Sequence, residues 1–354
     1  MDALPLDQAI ALKADQAFDL AALQTYLDAS APSFGKIEMV TKFPGGYSNQ
    51  TYCLQTASQE WVLRMPPKGA QIQTAHDMSR EYRVLNLLAP HYQKIPKPLL
   101  LCEDTNILGQ PFYIMERFSG VILRAGNAPK LGLSPETMQS VSTALINNLV
   151  ALHALDITTT GLAQLGKPEG YVNRQVAGWT KRYQAAQTDT IESIDQVAKW
   201  IAENHPRAQA PTLLHNDYKY DNLILDPNNL SNIIGVLDWE MATVGDPLMD
   251  LGATLAYWFE AEEESVFKIY NLSWLPGNLS RQQLVEHYAQ ATGRDLTDIV
   301  FYYVFGLFKN AVIAQQIYHR YQQGNSNDPR FGALLPMIQL LGTTSASAIE
   351  KGKI

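Results

Sequence analysis

The chain has 354 residues, 46% of them hydrophobic and 18% charged, enough to bury one large core or two lobes. A net charge of −8 with no run of basic residues argues against a general nucleic-acid binder, because counterion release needs clustered Lys and Arg. Cys53 and Cys102 stand far apart, the N-terminus lacks the pattern of a signal peptide, and no uncharged apolar stretch is long enough to span a bilayer. These features lead to the expectation of a soluble cytoplasmic chain, without a structural zinc, a disulfide framework or a membrane partner. In chain order, residues 16–29 place Phe18, Leu20, Leu23 and Leu27 near helical spacing. Two strand-like runs follow, Lys36–Phe43 and Gln50–Thr56, separated by the turn-rich PGGYSN. A third run, Glu60–Met65, is closed by Pro66-Pro67. Residues 74–89 then read as a helix with Met78, Tyr82 and Leu85 on one face, and Thr74 followed by Asp77 offers a cap. Leu99–Glu103 and Phe112–Glu116 complete an expected five-stranded antiparallel sheet with one helix against it.

After Phe118 the character changes. Residues 134–155 read as a long helix introduced by Ser134-Pro135, with further helices around 172–186 and 191–204. The polar loop LLHNDYKYDNLILD comes next, then a short strand at Ile233–Leu237 and helical segments at 248–258, 279–291, 296–319 and 331–349. A β-rich first third before a helical remainder predicts an α+β class with two lobes.

The chemistry concentrates in His215-Asn216-Asp217, with Asn222 five residues after the Asp and Asp238-Trp239-Glu240 sixteen residues beyond that. Phosphoryl transfer asks for a carboxylate to orient a hydroxyl and accept its proton, and for oxygen ligands to hold Mg²⁺ on the phosphates. One carboxylate and one amide oxygen are sensible magnesium donors. Each residue alone has an ordinary reading as a turn former or cap, and His215 reads as a support for the loop. The joint spacing is what points to a phosphotransfer site.

The segments LLHNDYKYDNLILD and VLDWEMATVGDPLMDLG resemble the catalytic and metal-binding loops of the aminoglycoside phosphotransferase/choline kinase family. That family shares the two-lobed fold of protein kinases. The resemblance implies a small antiparallel-sheet N-lobe over residues 1–117 that binds the nucleotide. It implies a mostly helical C-lobe over 118–354 that carries catalysis and the acceptor. Asp217 matches the catalytic base, and Asn222 and Asp238 match the metal ligands. Gly is frequent in the family where this chain has Asn216, and Glu240 stands where protein kinases have Gly. Trp61-Val62-Leu63-Arg64 resembles the strand that presents a phosphate-contacting cation, and Glu81 the carboxylate paired with it. PGGYSNQTY is similar to the phosphate-covering hairpin, which assigns Gly45, Gly46, Ser48 and Asn49 to the nucleotide, although a plain β-turn fits this segment equally. PFYIMERFSG resembles the hinge, with Met115 as gatekeeper and the backbone of Glu116 and Phe118 at the adenine edge.

A narrower resemblance, carried by AHDMSREYRVL, PFYIMERFSG and LDWEMATVGDPLMDL, is to the kinase-like domain joined to acyl-CoA dehydrogenases and its free-standing bacterial relatives. His76-Asp77 belongs to that pattern. It implies an enzyme that uses ATP and Mg²⁺ to phosphorylate a hydroxyl of a small molecule, a hydroxylated acyl-CoA among the candidates, and that acts as a separate protein from any dehydrogenase. The competing reading is a catalytically silent nucleotide-binding pseudokinase or scaffold. Asp250 is favoured as a helix cap, while Asp246 is open between a contact to the acceptor and a turn. Tyr257, Trp258 and Tyr303 are open between acceptor pocket and core.

Overall fold

The computed structural model describes residues 4–13, 16–44, 49–67, 77–325 and 328–354. Gly45, Gly46, Ser48, Thr74 and His76 therefore lie outside the described residues. Two compact units divide the chain, one formed by Met1–Ile122 with Asn222–Ala242 and the other by Leu123–Asp221 with Thr243–Ile354. The expected boundary at 117/118 compares with a first crossing between Ile122 and Leu123, and the stretch Asn222–Ala242 returns to the first unit.

In the first unit β1 (Ile10–Ala11), α1 (Leu20–Ser30), β2 (Ile37–Lys42), β3 (Gln50–Thr56), β4 (Glu60–Met65), α2 (Met78–Leu88), β5 (Pro98–Cys102), α3 (Thr105–Leu108) and β6 (Phe112–Glu116) follow one another. The strands form one antiparallel sheet in the order β1-β2-β3-β4-β6-β5. It has six strands rather than the expected five, because Ile10 and Ala11 pair with Lys42 and Thr41 at the free edge of β2. Side chains alternate across a strand, so directly paired residues share a face. Tyr52, Leu54, Leu63, Met65, Phe112 and Ile114 fall on one face and form a core with Leu23 and Leu27 of α1. Cys53 pairs with Val62, Val62 with Met115 and Arg64 with Tyr113, which puts these residues on the opposite face. Helix α2 packs against β5 and β6 and buries Glu81 together with Val84, Leu85 and Leu88. It starts at Met78, where Asp77 itself is the cap and accepts the Arg80 amide.

A hairpin completes this unit, β8 (Leu223–Asp226) and β9 (Asn229–Val236), where the sequence reading had a loop and one short strand. Leu225 and Val121 exchange two backbone hydrogen bonds of 2.9 Å, which joins the hairpin to the segment after β6. Gly120 is required there, since a Cβ would lie 2.5 Å from the Leu225 carbonyl oxygen.

The second unit consists of α4 (Pro135–His153), α5 (Tyr171–Ala186), α6 (Glu192–Glu203), β7 (Thr212–Leu214), β10 (Thr243–Gly245), α7 (Pro247–Ala256), α8 (Arg281–Thr292), α9 (Ile299–Gln322), α10 (Pro329–Gly332) and α11 (Leu335–Lys351). Strands β7 and β10 pair antiparallel and were not foreseen as strands. Ser134 caps α4 as expected, accepting from the Thr137 amide, and a full capping box of Ser280 and Gln283 opens α8. Among the described residues no helix is long and apolar enough to cross a membrane.

Candidate functional site

Within the first unit, Arg64 sits near the end of β4 and is only 9% exposed. Its guanidinium donates to Glu81 Oε1 at 2.6 Å and to Asp238 Oδ1 at 3.1 Å. Burial alone would lower the Arg64 pKa, but Glu81, Tyr113 and Asp238 more than offset it, so the guanidinium holds its proton more tightly than usual. Asp238 follows β9 in a left-handed conformation, with φ of 68°. The turn after it is fixed by Trp239, buried with its indole N–H on the Val236 carbonyl, and by Arg80, which donates to the Ala242 carbonyl. Asn222 stands just before β8, at the other strand's end. Leu223 pairs with Val236, and the Leu237 amide donates to the Asn222 carbonyl at 2.8 Å. Asn222 and Asp238, an amide and a carboxylate, thus flank the open end of one hairpin. These are hard donors of the kind Mg²⁺ accepts, with waters and phosphate oxygens to complete its shell.

Asn49 is buried and donates to Glu240 Oε2 at 2.9 Å, which ties the end of the Gly-rich segment to the residues after Asp238. Met115 lies buried beside Val62 on the Arg64 face of the sheet. The Glu116 amide is taken by the Lys97 carbonyl, so a main-chain contact from Glu116 to a ligand would come from its own carbonyl. Glu116 and Phe118 line a concavity of about 360 Å³ with Glu60, Trp61 and Arg117.

Within the second unit, the loop after β7 is held almost entirely by buried side chains. Asp250, fully buried one turn into α7, accepts the amides of His215 at 2.6 Å and Asn216 at 2.7 Å. His153 Nε2 lies 3.2 Å from the same carboxylate, and its Nδ1 pairs with the Tyr288 hydroxyl. Burial pushes the Asp250 carboxyl up, but the hydrogen bond and charge of His153 and the His215 amide outweigh it and hold the pKa below the usual value. Asp250 therefore clamps a loop rather than capping a helix start. Asp246 is the cap of α7 and also accepts from Tyr302 and the Gln209 amide. Asn216 has φ of 65°, a region that Gly and Asn enter most readily, which explains the frequent Gly of related loops.

Asp217 emerges from this clamp with a side chain 16% exposed. Lys219 Nζ donates to both of its oxygens at 2.8 Å and lies 4.5 Å from the centre of the Tyr257 ring. Burial would raise the Asp217 pKa, but Lys219, with Lys309 and His215 behind it, holds the carboxyl below its ordinary value. The loop is built to keep a carboxylate charged, a state in which it can orient a hydroxyl and later accept its proton.

Arg64, Glu81 and Asp238 are thus brought into one ion cluster, Asn222 stands at the start of the hairpin that leads into Asp238, and His215 supports the loop. Trp258 and Tyr303 are core residues, with Tyr303 on the buried Arg281 guanidinium, while Tyr257 stands beside Lys219. Sequence reasoning missed Lys219 and Lys309. Lys219 was readable as a cation two residues after Asp217, and Lys309 only as a lysine inside the apolar run FGLFKNAVIA.

Comparison with known proteins agrees with this geometry. Residues 40–285 match the family described as the phosphotransferase enzyme family. Acyl-CoA dehydrogenase family member 11 of Rattus norvegicus is 36% identical over 318 residues, covering 88% of this chain and 40% of that protein. The chain thus spans about two fifths of the length of this curated relative. A Ralstonia eutropha structure, provisionally described as an aminoglycoside phosphotransferase, is 30% identical with a TM-score of 0.80, covering 95% of this chain and 99% of that one. The GDP and kanamycin complex of APH(2")-IIIa shares the fold at 15% identity, with a TM-score of 0.64 over 91% of this chain and 98% of that one. With an α+β architecture, a clamped aspartate loop and a match over most of its length, the chain belongs to the phosphotransferase enzyme family.

Proposed function

We propose that this protein transfers the γ-phosphoryl group of ATP to a hydroxyl of a small molecule, with the first unit binding the nucleotide and the second providing the base. The observation that carries this reading is the state of Asp217. It is an ionised carboxylate on a backbone fixed by Asp250 and His215, held by a lysine that can release it to a substrate. A carboxylate with a depressed pKa is a weak base, which suits a loose transition state in which orientation of the hydroxyl matters more than early proton removal. Arg64, braced by Glu81, offers a permanent positive charge to the phosphates. Asn222 and Asp238 would hold Mg²⁺, which when bound neutralises charge on the phosphate oxygens. Glu116 and Phe118 offer main-chain contacts to the adenine. The acyl-CoA dehydrogenase name of the curated relative makes a hydroxylated acyl-CoA the first acceptor class to try.

The test is a screen of hydroxylated acyl-CoAs, amino alcohols, sugars and aminoglycosides with Mg²⁺-ATP, read by ADP release, followed by Asp217→Asn on the acceptor found. Turnover should fall by about 10²–10⁴-fold while nucleotide affinity is kept. Asp238→Ala should lose both. Wild-type turnover in the Asp217→Asn protein would reject the mechanism. Nucleotide binding with no transfer to any acceptor would favour the silent pseudokinase.

A further inference from the structure

We propose that Lys309 is a positioning residue for Asp217, gripping from the buried side the peptide bond that leads into it. This rests on the reading of Asp217 as the base. The Lys309 ammonium donates to the Asn216 carbonyl at 2.7 Å. The N–H of the same peptide, which belongs to Asp217, donates to His215 Nδ1 at 3.2 Å. A peptide plane held at its oxygen by one side chain and at its N–H by another cannot turn without breaking both bonds. The preceding amide is held as well, by Asp250. The plane follows Asn216, whose φ of 65° lies in the left-handed region that Asn enters most readily among residues with a side chain. Release of the carbonyl would let that plane rotate and carry the Asp217 side chain off its present direction.

Packing alone does not call for a lysine here. Lys309 lies on α9 among Phe305, Leu307, Phe308, Ala311 and Val312, all buried, and is itself 5% exposed. Leu or Met would fill such a place without the cost of desolvating an ammonium. Burial holds the Lys309 pKa below its usual value, and the carbonyl bond, the face of the Trp179 ring at 5.8 Å and the charges of Asp217 and Asp250 offset that only in part. Lys219 and Arg182 act in the opposite sense. Asp217 in turn faces Lys219, His215, Tyr257, Lys309 and the carboxyl of Asp221. Loss of the Lys309 charge removes one of the cations that keep it ionised.

The experiment follows the Asp217 carboxyl by ¹³C NMR in the full chain carrying [γ-¹³C]aspartate, with the signal identified by its absence in Asp217→Asn. Lys309→Met should move the titration midpoint to higher pH, and Lys309→Arg should return it towards wild type. In ADP release from Mg²⁺-ATP with water as acceptor, Lys309→Met should lose up to about 10²-fold, the scale expected when a catalytic group is misplaced. Its nucleotide affinity should be kept. If the Lys309→Met chain does not fold, Lys309→Gln carries the same titration. A folded neutral variant with an unmoved midpoint, or a shift that Lys309→Arg leaves in place, would overturn the proposal. Unchanged turnover in Asp217→Asn would instead overturn the reading of Asp217 as base, and the titration would still decide the Lys309 contact.

Discussion

At Arg64 a buried guanidinium answers two carboxylates, and the consequences of removing it differ from those of removing a surface charge. Glu81 is 1% exposed, so Arg64→Met leaves a carboxylate in the interior with its main counter-charge gone. Breaking a buried pair in this way costs about 3–5 kcal/mol, whereas replacing both partners by apolar groups is often close to neutral. We therefore expect Arg64→Met to lower the ligand-free melting temperature and to abolish the rise normally given by Mg²⁺-ATP. Adding Glu81→Met should restore part of the ligand-free stability but none of the nucleotide response. Thermal melts of the two single variants and the double, with and without Mg²⁺-ATP, check this. A double variant whose loss is the sum of the singles would show that the two residues do not act as a pair. Residues of this kind are readable from sequence because their spacing is fixed by the local path of the chain. Arg64 ends a strand, Glu81 lies on the next helix, and Asp217 and Asn222 share a loop. The targets of Asp250 were not readable in the same way. Its partners, the amides of His215 and Asn216, are chosen by tertiary packing, and a carboxylate in the first turn of a helix looks like a cap until its neighbours are known.

Helix α7 links this loop to the rest of the second unit, and its position depends on a close crossing with α9. A Cβ on Gly252 would lie 2.3 Å from the Tyr302 carbonyl oxygen, and one on Gly306 would lie 2.5 Å from the Gly252 carbonyl oxygen. Both obstacles are backbone, so neither can be relieved by a change of rotamer. Gly252→Ala should destabilise the protein by about 1–3 kcal/mol, read as a lower urea midpoint. Gly126→Ala, where nothing lies within 4 Å of the added methyl, is the control and should change little. Equal midpoints for the two variants would show that the crossing is not tight. The long periodic elements were legible, because alternation in β3, β4 and β6 and the capped start of α4 are local signals. Strands β7 and β10 were not, since three residues each carry no period and their pairing joins distant parts of the chain. Hairpin β8–β9 did announce itself through Asp226-Pro227-Asn228, a strong turn sequence.

The division into compact units runs through a single motif, with Asp217 on the second unit's side of the border and Asn222 on the first's. No local signal marks that return, which depends on the bridge between Val121 and Leu225. A related dependence on buried contacts governs the response of the whole molecule to acid. Asp217 and Asp250 both have native pKa values below their ordinary value of 3.8. For a carboxyl of this kind, the folded state binds its proton less readily than the unfolded chain. Its contribution to stability is therefore fully present above the unfolded value and is lost as pH falls through the folded one. Asp250 should dominate, because it is completely buried and holds two loop amides as well as His153. Asp250→Asn imitates the protonated carboxyl. At neutral pH it should cost about 1–3 kcal/mol, the range for leaving buried hydrogen-bonding groups poorly matched. As pH falls below the ordinary value the wild type loses the same interactions, so the two stability curves should draw together in acid. Urea unfolding of both proteins across that range measures the gap directly. A gap that stayed constant from neutral pH to well below the ordinary carboxyl value would mean that the charge of Asp250 contributes nothing to the fold, and that its loop contacts are those of any polar side chain of the same shape.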